Sequence, residues 1–123
     1  MCRPVTQPDP RFAEDPAYQY ITGNDKIPSY RDINPDDPTA HVRLFLPNSR
    51  FEYYVTAITN YSGTPVLTGF CVSPLGPDCD EEGDLAVSEL LALRDPLFKL
   101  PVERDLSWTP TPLSEVRKEI SHV

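Results

Sequence analysis

The chain is poor in the residues that most simply betray a function. Five glycines among 123 residues leave no Gly-rich loop to cradle a phosphate, so nucleotide binding has no support. Two histidines, His41 and His122, lie far apart. Neither has a Cys, Asp or Glu at ligand spacing, which argues against a zinc centre, and nothing places a Ser or Cys beside His41 for nucleophilic catalysis. Three cysteines, Cys2, Cys71 and Cys79, make an odd count without a C-x-x-C pair, so neither a disulfide framework nor a zinc knuckle is indicated. No apolar run approaches the ~20 residues of a membrane span. Met1-Cys2-Arg3-Pro4 opens onto polar residues and prolines rather than a secretory signal, and the expected compartment is a reduced cytoplasm without membrane contact.

Positive charge is also scarce. Eleven Lys and Arg face nineteen Asp and Glu, for a net charge of −8. Residues 74–95 hold seven acids against Arg94 alone, so three quarters of the net charge sits in that short stretch. Such a surface repels phosphates, which excludes nucleic acid as the expected partner. It suits a cation or the basic surface of another protein. What the chain does have is proline, fifteen in all, and 39% apolar residues. That is enough for one modest core and favours extended segments over long helices.

Seven prolines fall within residues 1–39 (positions 4, 8, 10, 16, 28, 35 and 38), where no apolar periodicity lasts a full turn. This stretch reads as an acidic, extended or partly disordered arm ahead of a single domain over 40–123. Phe12, Tyr18, Tyr20 and Tyr30 are spaced along it as potential anchors against the domain or a partner. From His41 to Leu46, Phe51 to Thr59 and Val66 to Val72, apolar and polar residues alternate around short polar connections, which predicts a three-strand antiparallel meander. Leu85 to Val87 reads as a brief fourth strand and Val102 to Trp108 as a last one. Ser88 is placed to cap a helix over 89–94, and Thr111-Pro112 to open another through Ile120 with Leu113, Val116 and Ile120 as its apolar stripe. The expected fold is therefore α+β: an antiparallel sheet of four or five strands with both helices packed on one face.

Phe45-x-Pro47, Phe51-x-x-Tyr54, Leu67-x-Gly69-Phe70, Gly83 before Ser88-Glu89-Leu90, and Pro101-Val102-Glu103-Arg104-Asp105-Leu106 resemble the pattern of an uncharacterised bacterial family. Its small members, a domain of unknown function, are often carried on plasmids and other mobile elements. The resemblance spans residues 42–116 and implies fold and single-domain size, with no known activity or cofactor. The chain departs from that pattern at Glu82, Asp84 and Leu85, where Leu, Tyr and Phe are usual, and in its second strand, where Phe51 or Tyr53 replaces a Trp.

Two constellations carry possible chemistry. Asp78 to Glu89 fits D-x-D-x-E-G-x-h-x-x-x-E, the ligand spacing of a calcium loop, with Asp78, Asp80, Glu82 and Glu89 as its carboxylates. Against it, Pro74 and Pro77 forbid the entering helix, and the resembled family keeps the Gly and Glu without the other carboxylates. A solvated acidic loop is the expectation, and divalent metal the alternative. Glu103 and Asp105 share one side of a strand, but Arg104 between them reads as half of a structural ion pair rather than catalytic machinery. No cofactor and no catalytic residues are expected. The expected function is non-enzymatic, an accessory or regulatory protein that binds another protein with a basic surface through Tyr18, Tyr20, Tyr30, Asp80, Glu81 and Glu82. A DNA-mimicking inhibitor is a further alternative.

Overall fold

In the computed structural model of the chain, residues 21, 25–61 and 64–121 are described. Three strands form the expected meander: β2 (Val42–Phe45), β3 (Glu52–Tyr61) and β4 (Thr64–Val72), each antiparallel to the next. Two further strands, β5 (Glu81–Ala86) and β6 (Glu103–Arg104), close the sheet in the order β5-β4-β3-β2-β6. A separate pair, β1 (Thr39–Ala40) with β7 (Thr111–Pro112), makes a second small antiparallel sheet. The helices are α1 (Val87–Ala92) and α2 (Leu113–Ser121). The α+β class and the five-strand sheet are as the alternation predicts.

The two helices do not share a face. Val87 and Leu90 of α1 pack with Val42, Leu44, Tyr53, Val55 and Leu67. Leu113 and Val116 of α2 pack with Tyr54, Phe70 and Val72. Tyr53 and Tyr54 are neighbours in β3, so their side chains leave opposite sides of the sheet, and the helices cover opposite faces. Both faces of the central strands are therefore apolar. A register shift between Val55 and Ala57 lets Ile58 rejoin the α1 side, since one extra residue restores the alternation to the same face.

Local chemistry explains the element ends. Asn48 turns the chain between β2 and β3 at φ +57°, a conformation that Asn tolerates better than most residues. Helix α1 begins one residue before Ser88, with Ala86 at its cap and no side-chain bond there, so the expected Ser88 cap is not used. Its other end is closed by Arg94, whose guanidinium donates to the Leu91 and Leu93 carbonyls at 2.8 and 2.7 Å. Thr111 and Pro112 are spent on β7, and α2 is capped from a distance. Asp37 accepts the Ser114 N–H at 2.9 Å and its hydroxyl at 2.7 Å, which serves one of the helix's orphan donors.

The segment read as an arm contributes to this fold over its described residues. Ile21 and Ile27 are buried in the α1-side core. Ile58 donates its N–H to Pro28 at 3.0 Å. Asp25 takes a bidentate bond from Arg104 at 2.6 and 2.8 Å, which is the ion pair that Arg104 is expected to make. Its companion Asp105 is paired with Arg43 at 3.2 Å. The last strand is shorter than the alternation suggests. After Arg104 a turn forms, Leu106 is exposed, and Trp108 packs instead against Tyr54, ring centres 5.3 Å apart, with its indole N–H donated to the Ala40 carbonyl at 3.0 Å.

Acid should loosen this structure in two stages. Burial holds the His41 pKa below its ordinary 6.5. Bonds from Ser114 to Asp37, from Arg50 to Asp80 and from Ser107 to Asp105 hold those carboxyls below 3.8. In each case the unfolded chain binds protons first as the pH falls, so stability falls with it. Melting temperature should be level between about pH 7 and 8, decline from about 6.5 as unfolded His41 protonates, and drop again below about 3.8. His41→Gln should remove the first decline and leave the second, which thermal melts across pH would read directly.

Candidate functional site

A groove of about 710 Å³ lies beside edge strand β5 on the α2 side of the sheet. Its floor is Thr56, Thr68 and Gly69. These side chains are short, and α2 covers the other end of this face over Tyr54, Phe70 and Val72, so the hollow follows from where the bulky residues stop. One wall is Tyr30, Ile33, Pro35 and Pro38, with Arg31 beside them; the other is Glu82, Gly83 and Asp84. The prolines suit a wall that needs fixed backbone and few donors. Thr68 donates its hydroxyl to Asp84 at 2.9 Å, and the Tyr53 hydroxyl, from the opposite face, reaches the Gly83 carbonyl at 2.8 Å.

Two sequence-predicted residues thus meet here although they are far apart in the chain. Tyr30, 56% exposed, and Glu82 both line this groove. Glu82 also stands 3.7 Å from Arg117, and it continues the groove into a smaller hollow of about 240 Å³ with Asp36, Asp37 and Arg117. Glu81 is exposed on β5. Asp80 is not available to a partner: its carboxylate takes both Arg50 nitrogens at 2.7 and 2.8 Å and the Ser73 N–H at 2.7 Å. Tyr18 and Tyr20 lie outside the described residues.

The calcium geometry is not formed. Residues 81–86 are a strand, and Gly83 is paired with Gly69 in the sheet instead of turning a loop. Asp78 sits in the short turn Pro77–Cys79 and Glu89 in the first turn of α1. Among the described residues no three potential ligands gather. Cys71, on β4, is half-buried, and burial pushes its thiol up, as do the charges of Asp80 and Glu81, which makes it a poor thiolate.

A buried carboxylate organises the loop that follows α1. Asp95 is fully buried, and its carboxylate accepts the N–H groups of Leu97 at 3.0 Å, Phe98 at 2.9 Å and Leu100, with the Asn48 side chain at 3.1 Å. Burial works against this charge, but those four donors outweigh it and hold the pKa below the carboxylate norm. The loop so fixed leaves Leu97 and Phe98 67% and 70% exposed and Leu100 41% exposed, with Lys99 between them at φ +58°. The available signal was Leu97-Phe98-Lys99-Leu100 between Pro96 and Pro101, an apolar run with no periodic partner.

Among the described residues no helix is long and apolar enough to cross a membrane. Searches of the curated proteins and of the solved structures returned no match. The family described as "Protein of unknown function (DUF2958)" matches residues 23–121, a span that takes in the packed stretch from Asp25 to Ala40 as well as both sheets and both helices. The chain belongs to that family.

Proposed function

We propose that the chain is a non-enzymatic accessory or regulatory protein of the cytoplasm, which acts by holding a basic segment of a partner protein in the groove beside β5. One observation carries this reading: Tyr30 and the carboxylates Glu82 and Asp84, from distant parts of the chain, line one groove together with small side chains of β3 and β4. Carboxylates on one wall suit Lys or Arg side chains. The Tyr30 ring on the other can take the same cation on its face or the aliphatic stem below it. The prolines and Ile33 offer apolar contact between charges. The net charge of −8 supports steering of a basic partner, with binding that weakens as salt rises.

Fluorescence anisotropy with two short labelled peptides, one alternating lysine with valine and one alternating glutamate with valine, tests the proposal. The lysine peptide should bind saturably and the glutamate peptide should not. Glu82→Lys with Asp84→Lys should weaken the lysine peptide by about tenfold or more, since two like charges then face it. Both positions are exposed, so the melting temperature should hardly move. Equal binding of the two peptides, or binding indifferent to the double substitution, would contradict the proposal.

A further inference from the structure

We infer that the basic segment this groove takes is the 94–100 loop of a second copy of the chain, so that the protein associates head to tail. The inference rests on the groove reading above and adds the identity of the partner.

Of the six exposed large apolar side chains among the described residues, three are Leu97, Phe98 and Leu100. Such clusters are unusual on a solvated surface and mark contact sites. Their setting is built: the buried Asp95 carboxylate ties the backbone of all three. A knob fixed in advance loses little conformational freedom when it docks. The charge around it runs against the rest of the chain. Arg94 and Lys99 are exposed, while the only acid from 94 to 100, Asp95, is buried. An apolar knob flanked by Lys99 and Arg94 complements a groove with Tyr30, Arg31, Ile33 and prolines on one wall and Glu82 and Asp84 on the other, the Arg94 guanidinium being held at the end of α1.

The topology keeps knob and groove of one molecule apart. The groove lies against β5, one edge of the sheet, and the loop precedes β6, the other edge. Asn48, in the β2–β3 turn, bonds Asp95 from that far side. The contact therefore joins different surfaces of two molecules, a heterologous arrangement that leaves one knob and one groove open at the ends.

Sedimentation velocity of the full chain over a concentration series, at low and high salt, tests this. Wild type should grow beyond the monomer with concentration at both salt levels, because salt screens the local Lys–carboxylate attraction and the repulsion between two chains of net charge −8 alike. Leu97→Ser with Phe98→Ser should remain monomeric at unchanged melting temperature, as should Glu82→Lys with Asp84→Lys. Mixed in equal amounts, the two variants should form a dimer and stop there, because together they retain one intact knob and one intact groove. Wild type that stays monomeric, a knob variant that associates like wild type, or a mixture that stays monomeric would each overturn the inference. If wild type is monomeric yet the groove binds the lysine–valine peptide, only the identity of the partner fails; if the peptide does not bind either, the groove reading fails with it.

Discussion

A chain beginning at Ala40 should not fold. The truncation removes Ile21 and Ile27, 2% and 3% exposed, and each such loss from a core costs about 2–5 kcal/mol. It strips Arg104 of the Asp25 carboxylate while the guanidinium is only 16% exposed, leaving a partly buried charge without that partner, which is costly. It also takes away Pro28 and Pro38, which accept N–H bonds from Ile58 and Leu113, and Asp37, which caps α2. Against a total of about 5–15 kcal/mol for a small domain, these losses consume the margin. Circular dichroism should show no cooperative melt. A cooperative transition close to that of the full chain would mean that these contacts add little.

The second large effect falls on one methyl group. Gly69 pairs with Val55 where β3 shifts register, and a Cβ at this position would overlap the Tyr54 carbonyl and lie 3.2 Å from Cε2 of Tyr53. The obstacle is backbone in the middle of the sheet, so no side-chain rotation relieves it. Gly69→Ala should cost about 3 kcal/mol or more, at or beyond the usual range for overpacking, and lower the melting temperature by roughly 10–20 °C in a domain of this size. Gly83→Ala serves as the control, because nothing lies near its added Cβ. Equal melting of the two variants would show that β3 and β4 can part at no great cost.

The elements most legible in the sequence were those in which one face is apolar and the period is two. Val42, Leu44 and Leu46, then Tyr53 and Val55, marked the meander because each strand buries that alternation against α1. The placement of α2 went astray for a physical reason. Tyr54, Phe70 and Val72 line the opposite face of the same strands, and a sheet covered on both sides gives no residue pattern that says which helix lies where. The packed part of residues 25–40 was hidden because its regular pieces, the 3-10 turn Tyr30–Asp32 and the two-residue β1, are too short to leave a period in the sequence. At the candidate site, Tyr30 and Glu82 were named from the sequence, but their meeting depends on long-range pairing that no local signal encodes. Asp80 was misread for a related reason: its exposure as an acidic-loop residue was inferred without Arg50, thirty positions away. The Asp95 loop was missed because its order comes from one carboxylate bonding backbone, which composition does not reveal.

A basic protein segment held in the groove beside β5 would leave its mark on the amide resonances of the lining, which locate such a surface residue by residue. Titrating the lysine–valine peptide into the full chain should shift Tyr30, Thr68, Gly69, Gly83 and Asp84 together along one saturation curve, with Val87 and Leu90 on the opposite face unmoved. Shifts confined to other parts of the molecule, or none at concentrations where the glutamate–valine peptide is also silent, would contradict it.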